Sequence, residues 1–233
     1  MEKVRIAKYI SDSGFASRRV AEDLIRAGRI TVNGVVVDTP VYFVQDGDIV
    51  ALDGCQISAR DETVVYAFHK PINTMTTLRD PQGRKTIYDC LSDSYRNLKY
   101  IGRLDFKTTG LLLLTNDGEL ARRLTLPSSN IPRTYIATVD GGDFSALNRA
   151  RRGITVDGVR YAPMQIEEID SNNLRVTICE GKKNEVRIVL RACGCPVRKL
   201  HRVSFGNVLL GDLPVGKICK LSQKTIDEMI KTL

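Results

Sequence analysis

One concentration of residues able to do chemistry is the stretch Tyr100-Ile101-Gly102-Arg103-Leu104-Asp105-Phe106-Lys107-Thr108-Thr109-Gly110, which runs straight into Leu111 to Leu114. A four-leucine segment reads as a buried strand, so the charged loop before it is pinned to the core. Asp105 has Arg103 and Lys107 two positions away on either side, and nearby cations favour the ionised carboxylate. An ionised Asp on a rigid edge is a candidate nucleophile. A turn Asp that only balances surface charge has the same local pattern.

A second concentration lies at residues 180–202, where Lys182, Lys183, Arg187, Arg191, Arg198, Lys199 and Arg202 face only Glu180 and Glu185. Val186, Val189 and Leu190 have helical spacing, which predicts a basic helix with its apolar side on a sheet. Its charged side is either a solvated face or the bank of a phosphate-binding groove. Other constellations are incomplete. Cys193-Gly194-Cys195 with His201 offers three soft ligands but no fourth. Gly141-Gly142 lacks the third glycine of a dinucleotide loop, Gly181-Lys182 lacks the preceding phosphate-loop glycine, and no Gly-x-Ser-x-Gly elbow occurs. Metal sites, nucleotide hydrolysis and serine-hydrolase chemistry are therefore not expected.

The elements that must position these residues are legible in outline. Residues 3–13 carry Ile6, Tyr9 and Ile10 at helical spacing, with Gly14 as a stop. Ser17 can cap a second helix from Arg18 to Ala27, ended by Gly28. Ile30 and Val32, then Asn33-Gly34, then Val35 and Val37 spell a hairpin with a type I′ turn. Asp46-Gly47 marks a turn between Val41 to Val44 and Ile49 to Leu52. This predicts a compact α+β module over residues 1–60, with a boundary at the polar stretch Ser58 to Glu62 and a second domain over 61–233.

Beyond Thr63, strand-like segments at Val64 to Phe68, Leu111 to Leu114, Tyr135 to Val139, Leu174 to Ile178 and Val203 to Leu210 are interleaved with helical ones. The helices are expected at Glu119 to Leu124, Phe144 to Arg152, Asn184 to Ala192 and Lys224 to Ile230. The irregular alternation predicts an α+β fold with a mixed, largely antiparallel sheet flanked by helices.

Composition narrows the partner. The chain has 233 residues, a formal net charge of +8 and 42% hydrophobic residues, which argues for a folded globular protein. No apolar run is long enough to cross a membrane and no signal peptide is read, so a cytoplasmic protein is expected. Six scattered cysteines predict no disulfide. Two histidines leave little for histidine chemistry. The basic balance points to an acidic partner, and charge by itself leaves RNA, DNA and anionic lipid open. Residues 1–30 add a basic helix pair suited to phosphate, with Arg18, Arg19 and Arg29 around its turn and end.

Ser17-Arg18-Arg19-Val20-Ala21-Glu22-Asp23-Leu24-Ile25 followed by Gly28-Arg29-Ile30-Thr31-Val32-Asn33-Gly34 resembles the S-four domain, an RNA-binding module named after a small-subunit ribosomal protein. Gly102-Arg103-Leu104-Asp105, then Thr109-Gly110-Leu111-Leu112-Leu113-Leu114-Thr115-Asn116-Asp117-Gly118-Glu119-Leu120, is similar to the signature of RsuA-type ribosomal pseudouridine synthases. Lys70-Pro71, Arg133-Thr134-Tyr135, Gly181-Lys182 with Glu185-Val186-Arg187, and Arg202-Val203 through Gly211-Asp212-Leu213 resemble further blocks of that family, in order.

The resemblance implies an isomerase that turns a uridine of ribosomal RNA into pseudouridine with no cofactor or metal. By it, Asp105 is the catalytic aspartate, Tyr135 stacks on the flipped uracil and helps remove a proton, and Arg187 pairs with Asp105. Arg103 fills the space left by the extruded nucleotide and Leu190 contacts the base, while Arg18, Arg19, Arg29, Lys182 and Lys183 bind RNA. Read without the family, Tyr135 is more readily a core tyrosine of a strand than a stacking platform. Three positions depart from the pattern: Asn73 stands where Gly is usual, Leu126 where His is common, and Lys183-Asn184 replaces Asn followed by a base. The segment from His201 to Pro214 looks more like large-subunit than small-subunit members, and a monomer is expected. A non-catalytic RNA-binding or ribosome-assembly factor on the same fold is the alternative. Intact Asp105, Tyr135 and Arg187 argue against it.

Overall fold

The structure, a computed structural model, describes residues 3–57, 62–140 and 144–233. Most of the boundary stretch Ser58 to Glu62, and Gly141-Gly142, lie outside the described residues. The chain divides into two compact units, one of residues 1–63, 94–99 and 116–118, the other of 64–93, 100–115 and 119–233.

The first unit runs β1 (Val4–Arg5), α1 (Ile6–Asp12), α2 (Arg18–Arg26), β2 (Ile30–Val32), β3 (Val35–Val36), β4 (Phe43–Val44), β5 (Val50–Leu52) and β6 (Cys55–Gln56). Ser17 caps α2, its Oγ accepting from the Val20 amide at 3.3 Å. Asn33 and Gly34 sit at φ +51° and +80°, the left-handed pair that a type I′ turn needs between β2 and β3. Ile6, Ile10, Ala21, Ile25, Ile30 and Val50 are fully buried and join both helices to the sheet β3-β2-β5-β6. One expectation needs correction. The first helix does not begin at residue 3: Val4 and Arg5 are extended and pair with Val44 and Phe43, because that ladder satisfies their backbone groups. The Asp46-Gly47 turn is present, with Gly47 at φ +90°, and its flanking segments do not pair with each other. Instead β5 pairs with β2, and with β6 through a second left-handed turn at Asp53-Gly54.

In chain order the remaining strands are β7 (Val65–Lys70), β8 (Lys99–Ile101), β9 (Thr108–Thr115), β10 (Arg133–Val139), β11 (Ile154–Val156), β12 (Val159–Tyr161), β13 (Gln165–Glu168), β14 (Asn173–Ile178), β15 (Val197–Phe205), β16 (Val208–Leu209) and β17 (Ile218–Lys220). The helices are α3 (Gly118–Thr125), α4 (Leu147–Arg151), α5 (Glu185–Ala192) and α6 (Gln223–Lys231). The main sheet follows the path β13-β14-β10-β15-β9-β7-β17, with β8 on β9 and β16 on β15. Along that path every neighbouring pair is antiparallel except β9 with β15.

Leu111 to Leu114 are all fully buried, which is why this run is apolar without alternation: both faces of β9 are covered. Burying each such leucine is worth about 1.5–3 kcal/mol, so β9 is a rigid base for the loop that enters it. The segment Val203 to Leu210 is not one strand but the end of β15 and β16 around a turn, where Gly206 takes φ +54°. The segment Phe144 to Arg152 begins with a tighter turn, and its α-helix spans only Leu147–Arg151. The hairpin of β11 and β12, turned at Asp157-Gly158, and the edge strands β13 and β17 were not anticipated.

Candidate active site

Asp105 is half-buried in the segment between β8 and β9, which belongs to no strand or helix from Gly102 to Lys107. The Thr108 amide donates to the Asp105 carbonyl at 2.9 Å, closing the loop just as β9 begins. Lys70, at the end of β7, has no exposed surface. Its ammonium is spent on main-chain carbonyls: Thr108 at 2.8 Å, Pro71 at 3.1 Å and Asp105 at 3.3 Å. Burial pulls the Lys70 pKa down to about 8, against the opposing pull of the Asp105 charge.

The register brings one row of residues together across the sheet. Lys70 on β7 is opposite Gly110 on β9, Gly110 is opposite Arg202 on β15, and Arg202 is opposite Tyr135 on β10. Residues opposite one another share a face. Tyr135 therefore stands two strand spacings, roughly 10 Å, from the strand that carries the Asp105 loop. Gly110 is required here. It sits at φ +105°, and a Cβ on it would lie 2.2 Å from the Arg202 carbonyl oxygen. Arg202 is buried, donates from Nε to the Leu111 carbonyl at 2.6 Å and leaves its Nη2 without a hydrogen-bond partner among the described residues. Arg133, also buried, donates to the carbonyls of Glu180 at 2.8 Å and Cys179 at 3.1 Å. Tyr135 itself is 7% exposed.

Helix α5 supplies Arg187 from the other side. Its guanidinium donates to the Lys107 carbonyl at 2.9 Å and the Val197 carbonyl at 3.0 Å, fastening the helix to the Asp105 loop and to the start of β15. Burial lowers the Arg187 pKa and the Asp105 charge counters it. The two side chains are thus electrostatic neighbours, yet no salt bridge within 4.0 Å joins them. Glu185, two residues earlier, accepts from the Lys182 amide at 2.9 Å and is almost wholly buried, which raises its pKa to about 7. Leu190 is fully buried. Lys183 and Arg103 are exposed. Lys182 is exposed too but engaged, donating to the Arg160 carbonyl at 2.8 Å, pairing with Glu180 and lying over the Tyr161 ring.

In the first unit, Arg18 and Arg19 are exposed on the opening turn of α2 and form no ion pair among the described residues. Arg29 differs. Its Nε donates to both carboxylate oxygens of Asp53, at 3.0 and 3.2 Å, with a further bond from Nη2, and this holds the Asp53 carboxyl below its usual range.

Sequence reasoning assigned no role to Lys70, Arg202 or Thr76. Lys70 stood in a recognised block, and its neighbour Pro71 predicts an extended backbone there. Arg202 stood in the basic stretch and in a recognised block as well, but only the β9–β15 register places it beside Gly110. Cys193 and Cys195 are buried, and His201 is turned to Thr109 Oγ1 at 2.7 Å and toward the His69 ring. Among the described residues no cluster of three or more His, Cys, Asp or Glu could hold a metal ion. Nor is any described helix long and apolar enough to cross a membrane.

Comparison with known proteins matches residues 64–192 to the RNA pseudouridylate synthase family and residues 4–50 to the S4 domain. An uncharacterized RNA pseudouridine synthase of Aquifex aeolicus is 38% identical, covering 100% of this chain and 96% of its own length. A counterpart of the same description in Rickettsia conorii is 34% identical over 96% of this chain and 98% of its own. Among solved structures, a crystal structure of a pseudouridylate synthase superposes with a TM-score of 0.71 at 28% identity, covering 97% of this chain and 99% of the other.

Proposed function

This chain belongs to the RNA pseudouridylate synthase family, and we propose that it isomerises a specific uridine of ribosomal RNA, with the large subunit's RNA the first substrate to try. The base-to-sugar bond at nitrogen breaks, a bond from carbon forms, and the proton on that carbon leaves while one is gained at nitrogen, with no net redox change. The observation that carries this reading is the way the Asp105 loop is held, with a helix arginine fastened to it. Asp105 is held at the mouth of β9, Arg187 is fastened to the same loop, and Tyr135 lies two strands away, opposite Arg202 in the cross-strand row that includes Gly110 of β9.

Asp105 is the nucleophile, and attack on sugar or on base both satisfy the bond balance. Arg187 supplies positive potential beside the carboxylate. The target must leave its stack to reach a loop at a strand end, so an aromatic platform and a basic rim are needed. Tyr135 is the platform, Leu190 lines the base pocket, Arg103 occupies the gap left in the RNA, and Lys182 and Lys183 form the rim. Residues 1–60, through Arg18, Arg19 and Arg29, grip the RNA, and residues 61–233 carry the reaction. Arg29 acts through its bond to Asp53, as a brace of the module more than as a free phosphate ligand.

The test is release of tritium from unmodified ribosomal RNA labelled at the uracil carbon that forms the new bond, comparing the unaltered protein with Asp105→Asn. Stoichiometric release by the unaltered protein and none by the variant is expected. Tight binding without release would instead favour an assembly factor.

A further inference from the structure

Because residues 102–107 join no strand or helix, no ladder satisfies their backbone polar groups, and buried groups of this kind need partners. Residues 70–76 provide them. The Asn73 amide donates to the Phe106 carbonyl at 2.9 Å, and Lys70 reaches the carbonyls of Asp105 and Thr108. These contacts hold the loop at Asp105 and after it. The residue before Asp105 is held by one side chain. Thr76 Oγ1 donates to the Leu104 carbonyl at 2.8 Å and accepts from the Leu104 amide at 3.3 Å.

We infer that Thr76 is a positioning residue for Asp105, a role that rests on Asp105 doing the chemistry. The Leu104 carbonyl belongs to the peptide plane that leads into Asp105, so fixing it sets the direction in which the aspartate side chain leaves the loop. The hydroxyl is suited to this. Thr76 is 6% exposed and Leu104 4%, so water is kept from competing for either backbone group. A β-branched side chain is stiff about its first torsion. Met75 is in turn fixed by a bridge to Thr86: its amide donates to the Lys85 carbonyl at 2.8 Å and its carbonyl accepts from the Ile87 amide at 2.9 Å. The anchor is therefore built on paired backbone. Lys70 and Asn73 cannot replace it, since both act at or beyond Asp105.

The experiment compares Thr76→Val, which keeps the shape and removes the hydroxyl, with Thr76→Ser, which keeps the hydroxyl. Tritium release is followed at saturating and limiting RNA, and amide hydrogen exchange is measured at Leu104. In Thr76→Val, kcat should fall by roughly tenfold or more, as expected when a reacting group is misplaced, with KM little changed and Leu104 exchange faster. Thr76→Ser should restore both. Undiminished kcat in Thr76→Val, a rise in KM alone, or unchanged Leu104 exchange would overturn the role. If Thr76→Val does not fold, Thr76→Ser still decides, because lost turnover in a folded variant that keeps the hydroxyl overturns it. No release from the unaltered protein would overturn the isomerase reading and the positioning role of Thr76 together, whereas undiminished release in Thr76→Val overturns the positioning role alone.

Discussion

At the scale of single residues, the site separates groups that act by charge from groups that act by placement. Asp105 is one carboxylate on a basic rim, so Asp105→Ala should abolish turnover while weakening RNA binding by less than tenfold, under about 1.4 kcal/mol. Filter binding beside tritium release checks this, and equal loss of both would count against it. Glu185 makes a prediction about stability. Its folded pKa is raised to about 7 by burial, so the folded state holds a proton that the unfolded state releases near the ordinary carboxylate value. The contribution is fully present below that value and is lost as pH rises to about 7. Relative to Glu185→Gln, the wild type should lose about 1–3 kcal/mol between pH 4.5 and 7.5, read from urea unfolding at each pH. The departure at Asn73 also becomes intelligible here. Its φ is +55°, a left-handed conformation that Asn tolerates best after Gly, and Asn184 before α5 adopts the same φ.

At the scale of elements, the decisive contact is the parallel pairing of β9 with β15, where Gly110 admits the Arg202 backbone. Gly110→Ala should cost about 3 kcal/mol or more, because left-handed strain and a main-chain clash add. Gly158, in the hairpin turn at φ +78° with nothing near its missing Cβ, carries the strain without the clash, and Gly158→Ala should cost only about 1–2 kcal/mol. Denaturant unfolding of both variants separates the two effects. Local pattern located β2, β3, α2, α3, α5 and β9 well, since caps, turn residues and apolar spacing act within a few positions. It missed β1, β6, β13 and β17, two to four residues long apart from their partners' support. Such strands are stabilised almost wholly by neighbours distant in sequence.

At the scale of the whole molecule, the net charge of +8 predicts strongly salt-dependent RNA binding. If Arg18 and Arg19 each neutralise one phosphate, replacing both with Ala should reduce the slope of log K against log salt by about 1.4–1.8. Titrations at several salt concentrations test it, and an unchanged slope would remove these arginines from the RNA interface.

What the sequence by itself determined is the kind of protein. The two motif blocks, the excess of bases and the apolar run behind Asp105 depend on residue identity and short spacing, so they can be read without coordinates. Tertiary structure decided how the site is held. That Arg202 lies against Gly110, that Arg187 is fastened to the loop main chain, and that Thr76 grips Leu104 are contacts across 28 to 92 residues or between strands whose register no local pattern specifies. Backbone hydrogen bonding imposes that register only when all the strands of the sheet are present together.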